Sequence, residues 1–195
     1  MDNPNDVKDL ALRGSELAAK LVGIAVPAVG VLGVFIEAVN ERRTKRQIER
    51  LQELIASVCQ RLDRCENQIF EPSDPHLIDE ILAKAVNDED EDKTEYYAAL
   101  IQYCATANRR AFEIRLLGNA LKGLTIHEIE SLAHFAEHGV LRHDIPEELR
   151  DIFWDRVLYL GLHQRGKIGN PEYTTLLGQK FIEVCKLAKS QRGKE

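Results

Sequence analysis

Sixteen apolar residues without a break, LVGIAVPAVGVLGVFI at 21–36, stand between Lys20 and Glu37, and Arg42, Arg43, Lys45 and Arg46 follow closely. A run this apolar does not suit an ordinary surface helix, which keeps charged residues on its outer face. Fully helical it spans about 24 Å, less than the roughly 30 Å hydrocarbon core of a bilayer. Two dry environments are open to it: contact with lipid, or the centre of a protein bundle or oligomer, entered as a helical hairpin turning near Pro27. Glycine and proline weaken a helix in water by about 1 and 3 kcal/mol, yet membrane helices tolerate both, and small residues let backbones approach closely. Leu21, Gly23, Pro27, Gly30, Gly33, Phe35 and Ile36 are therefore the candidate membrane or oligomer segment. Arg42, Arg43, Lys45 and Arg46 are candidate lipid-facing residues, each attracted to an anionic leaflet by about 1 kcal/mol.

Ahead of that run, Val7, Leu10, Ala11, Leu17, Ala18 and Leu21 recur at helical spacing and predict an amphipathic helix over residues 5–20. Behind it the pattern changes. Ile48, Leu51, Ile55, Val58, Leu62, Cys65 and Ile69 follow one another in alternating steps of three and four, the signature of a heptad seam. The partner of the seam is either another protomer or a helix of the same chain. In both cases the helix is a spacer or assembly element.

Asp74 and Pro75 supply a cap and a first-turn proline for a new helix with Leu77, Ile78, Ile81, Leu82, Ala85 and Val86 as its inner stripe. Asp88 to Asp92 then lead into a helix bearing Tyr96, Tyr97, Leu100, Ile101 and Cys104. The alternation of Asp88, Asp90 and Asp92 mimics a calcium loop, but Lys93 stands where its glycine belongs and Ala99 where its last glutamate belongs. Acids at a helix start are explained by the positive end of the helix dipole.

From residue 109 the order of elements predicts a winged-helix-like module: a helix ending at Gly123, a second one capped by Thr125 and Glu128 and stopped at Gly139, a third with Pro146 at its first position running to about Leu160, a small β-hairpin about 166–171, and a last helix from Leu176 to about Ala188. Leu149, Ile152, Phe153, Val157 and Leu160 are the expected inner face of the third helix. The fold class is thus mainly α. Residues 1–40 form the apolar segment with its amphipathic lead, 41–71 a coiled-coil-like helix, 72–108 a helical hairpin and 109–195 the winged-helix-like module.

Chemistry-bearing motifs are few. His134-Phe135-Ala136-Glu137-His138 matches the H-x-x-E-H pattern of inverted zinc peptidases, but Gly139 closes the helix directly and histidines at a helix C-terminus suit the dipole without a metal. His134 and His138 are the metal candidates, and no catalytic residue or cofactor is expected. Cys104 and Cys185 fall in apolar stripes and read as core thiols. The four cysteines lack a C-x-x-C pair and read as reduced. With a net charge of −6 and four acids against two arginines on the third helix, sequence-specific nucleic-acid binding, as by a transcriptional regulator, is a minority reading.

The stretch DEILAKAVNDEDEDKTEYYAALI, together with the closing TTLLGQKFIEVC, resembles bacterial proteins of the abortive-infection alpha type and related phage-defence or mobile-element proteins, over about residues 77–188. The resemblance implies a cytoplasmic protein that limits phage growth by acting at the inner membrane. It carries over no site residue. The expected protein is a non-enzymatic homo-oligomer that touches membrane lipid and receives a protein partner through its C-terminal module. The alternative is a soluble oligomeric scaffold whose apolar helices meet at its centre.

Overall fold

The computed structural model describes residues 45–65, 76–105, 110–142, 145–165 and 170–192. Of the described residues 80% are helical and none forms a strand, so the fold is mainly α. Seven helices follow in order: α1 Lys45–Asp63, α2 His76–Val86, α3 Thr94–Ala105, α4 Ala111–Gly123, α5 Ile126–His138, α6 Arg150–Tyr159 and α7 Leu176–Arg192. The chain divides into two compact units, Met1–Arg115 and Leu116–Glu195, with the division inside α4.

In the first unit α3 is the central element, and α1 and α2 pack on it. Its residues from Tyr96 to Ile101 are all at most 1% exposed, which only a helix enclosed on several sides permits. Ala98 and Ala99 are the small residues of that enclosed stretch. Leu51, Leu54, Ile55, Val58 and Leu62 of α1 are buried against the unit, as are Leu77, Ile78, Ile81 and Leu82 of α2. At the start of α4, Arg115 reaches back to α2 and donates through Nε and Nη2 to the two carboxylate oxygens of Glu80, both at 2.9 Å.

The second unit is built on helix punctuation that the sequence spells out. Thr125 accepts from the Glu128 amide, and the Glu128 carboxylate accepts from the Thr125 amide at 2.8 Å, closing the capping box of α5. Gly139 ends α5 at φ 75°, and Gly161 turns the chain after α6 at φ 71°, conformations that cost an L-residue about 1–2 kcal/mol. Thr175 caps α7: its Oγ1 accepts from the Gly178 amide at 3.0 Å and donates to the Gly161 carbonyl at 2.6 Å. The core between these helices is aromatic. Trp154 meets Phe135 edge-on at 5.0 Å and Phe153 at 5.1 Å, and His163 lies 5.3 Å from the indole.

Three expectations are corrected here. The third helix of the module does not begin at Pro146: that proline precedes a 3-10 turn, Glu147–Leu149, and α6 starts at Arg150. Its inner face is Phe153, Trp154 and Val157, whereas Leu149 and Ile152 are 48% and 52% exposed. The expected hairpin is not found as strands among the described residues. What joins its two sides is one antiparallel bridge between His163 and Thr174 and a 3-10 turn, Pro171–Tyr173, while 166–169 lie outside the described residues.

Candidate functional site

The acidic stretch after α2 folds into a dense set of hydrogen bonds centred on Asp88. Asp88 is 8% exposed and Lys93 3%. Lys93 Nζ donates to both Asp88 oxygens at 3.1 Å, Tyr97 Oη donates to Oδ2 at 2.6 Å, and the Asp90 amide donates to Oδ1 at 3.0 Å. From α1, Arg50 donates to the Asp88 carbonyl through Nη1 and to the Asp90 carbonyl through Nη2 at 2.6 Å. Burial pushes the Tyr97 phenol well above its ordinary range, and the bond to Asp88 and its charge push it further, with Arg50 acting in the opposite sense. Asp88 is therefore a buried hub and not one of a row of solvated acids at a helix start. A lysine ammonium and an arginine guanidinium occupy the loop where a calcium reading would place the ion.

Beside this hub lies a cleft of about 310 Å³ lined by Gln47, Arg50, Asn87, Glu89 and Glu91 among others. Farther along α1, Arg61 is 1% exposed. Its guanidinium bonds Glu95 at 2.6 Å, Gln102 at 3.3 Å and Ser57 at 3.4 Å, and Gln102 in turn reaches the Cys65 sulfur. Arg50 and Arg61 thus pin the seam helix at two levels to its own chain. Removing one partner of a buried pair leaves an uncompensated charge, which is the costly event.

Among the residues singled out from sequence, Leu51, Ile55, Val58 and Leu62 are 1–4% exposed inside the single chain. Lys45 and Arg46 open α1, and Ile48 lies in its first turns, but the side chains of all three are outside the described residues. Leu21, Gly23, Pro27, Gly30, Gly33, Phe35, Ile36, Arg42, Arg43 and Ile69 also lie outside them, as does the amphipathic segment 5–20. No described helix is long and apolar enough to cross a membrane.

His134 and His138 stack with ring centroids 4.3 Å apart. His134 Nδ1 lies 2.9 Å from the Val140 carbonyl and His138 Nδ1 3.1 Å from the His134 carbonyl. Each Nδ1 therefore carries the proton and donates it, closing the end of α5. No group of three potential metal ligands occurs among the described residues. Cys104 and Cys185 are buried, 2% and 0% exposed, and burial pushes the Cys185 thiol up to about 12. At neutral pH it is a small apolar core residue.

On α6, Phe153 and Val157 face inward and Glu148, Asp151 and Asp155 outward as expected, but Leu149 and Ile152, expected on the inner face, are exposed. Ile152 and Tyr159 are 52% and 87% exposed, although apolar residues also line the inner face. Arg156 on the same side donates to both oxygens of Glu128, at 3.0 and 3.1 Å. Glu147, Glu148, Asp151 and Asp155 are exposed. Arg50, Arg61, Asp88 and Lys93 were also missed as a group; the available signal was Arg50, Leu54, Ser57 and Arg61 in steps of four, three and four beside the apolar seam. No protein-family model, curated protein or solved structure matches the chain.

Proposed function

We propose that the chain is a non-enzymatic helical adaptor of the phage-defence class, held at the bacterial inner membrane by residues 21–46 and offering its second unit, with the helix order of a winged-helix module, as a protein-docking surface. One observation carries this reading. The described part of the heptad stripe, Leu51, Ile55, Val58 and Leu62, is buried within its own chain and flanked by the bonded Arg50 and Arg61. The helix that follows the basic run is thus a fixed part of a folded bundle. Self-association and membrane contact then fall to the apolar run 21–36, the one long uninterrupted apolar stretch of the sequence. The acids of α6 favour a protein over a nucleic acid as the partner of the second unit.

A soluble scaffold, with 21–36 enclosed by protein helices, is the second reading, and the same self-contained seam supports it equally on the question of assembly. Fractionation separates the two. Expressed chain is expected in the high-speed pellet and released by detergent, and Val29→Asp is expected to move most of it to the supernatant with its helical circular dichroism retained. A discrete detergent-free oligomer of the unmodified chain in the supernatant would instead establish the scaffold.

A further inference from the structure

We infer that the outer face of α6 is a docking site for a basic amphipathic helix of a protein partner. The inference rests on reading the second unit as a docking module and supplies the chemistry of what docks. Ile152 and Tyr159 are seven residues apart, so they stack two turns apart on one helix face, and Leu149, 48% exposed, extends the row into the preceding turn. From 149 to 159 the row covers about 15 Å, the length of some three turns of a partner helix. Thr175 is bonded to Gly161 and Leu162, so Leu176, 67% exposed, follows directly on a residue held at the turn that ends α6.

Charge selects the occupant. Glu148, Asp151 and Asp155 follow one another in steps of three and four along the flank of the apolar row. Arg156, the cation within that face, already donates through Nη1 to both oxygens of Glu128. The face therefore presents aliphatic and aromatic contact area bordered by unneutralised carboxylates. An anionic lipid surface or a nucleic acid would meet like charge there. A helix with leucine-type residues at i, i+3 or i+4 and i+7, edged by Lys or Arg, meets both the apolar row and the acids, as in helix-in-groove recognition.

The test is fluorescence anisotropy of a labelled 14-residue leucine/lysine peptide, with leucines at helical spacing, titrated with the full chain in mild non-ionic detergent. A leucine/glutamate peptide of the same pattern is the control. The leucine/lysine peptide is expected to bind at least tenfold tighter than the control. D151K/D155K is expected to abolish that preference, and I152S/Y159S to weaken binding at least tenfold with helical content unchanged. Equal binding by the unmodified chain and both variants would overturn the inference, as would equal affinity for the two peptides. A concentration-dependent dimer lost in I152S/Y159S, without peptide binding, would assign the face to a second copy and also overturn it. Membrane recovery of D151K/D155K is expected to match the unmodified chain, so failure of the peptide test and failure of the membrane reading are separate results.

Discussion

Lys93→Met is expected to destabilise the first unit by about 3–5 kcal/mol, read as a lower urea midpoint, because it strands a buried carboxylate. Asp88 would retain Tyr97 and the Asp90 amide as donors but lose the ammonium that meets both of its oxygens. Domains of this size are stable by about 5–15 kcal/mol in total, so the single change puts folding itself at risk. The double variant D88N/K93M removes both charges while leaving an amide that can still serve Tyr97 and Asp90. It is expected to recover more than half of the loss, since replacing a buried ion pair by neutral groups is often close to neutral. Equal losses in the single and double variants would show that the hub acts through packing and not through charge.

Gly178→Ala is expected to cost about 3 kcal/mol or more, near the upper end for overpacking, because the obstruction is backbone. A Cβ at this position would collide with the Leu162 carbonyl and come within 2.7 Å of Thr174 Cγ2. The Leu162 carbonyl is also the acceptor for the Thr175 amide at 3.1 Å. α7 therefore cannot keep its place against that turn and accommodate a methyl group. Gly123→Ala is the matched control, since its Cβ would meet only the flexible end of Leu160, 3.3 Å away. Thermal unfolding that showed the two alanine variants equally stable would contradict the close approach at Gly178.

Helix content and the ends of α5 were legible because each depends on nearby residues, whereas Pro146 marked a 3-10 turn and not the start of α6. Alternating three- and four-residue steps marked α1, the Thr125 and Glu128 pair marked the start of α5, and Gly139 its stop. What periodicity could not identify was the partner of a stripe. The seam of α1 would look the same against another protomer as it does buried within its own chain. The extent of the inner face of α6 was hidden for a related reason: Leu149 and Ile152 are as apolar as Phe153, Trp154 and Val157, so only tertiary packing decides which of them are enclosed. Asp88 was concealed by its neighbours in a run of five acids. A carboxylate that is buried and one that is solvated leave the same letter in a sequence, and the nearby cations, Arg50 and Lys93, are told apart from surface residues only by their 6% and 3% exposure.

Flotation of the purified full chain with phosphatidylglycerol-containing vesicles tests the membrane role most directly, with neutral phosphatidylcholine vesicles beside it and the variant R42Q/R43Q/K45Q/R46Q compared on both. The chain is expected to float with both lipids. Its affinity for the anionic vesicles should exceed that for the neutral ones, and neutralising the four cations should lower anionic binding by about 1 kcal/mol for each charge that lies at the surface. Recovery of the unmodified chain at the bottom of the gradient with both lipids, as a stable detergent-free particle, would contradict a membrane role for residues 21–46.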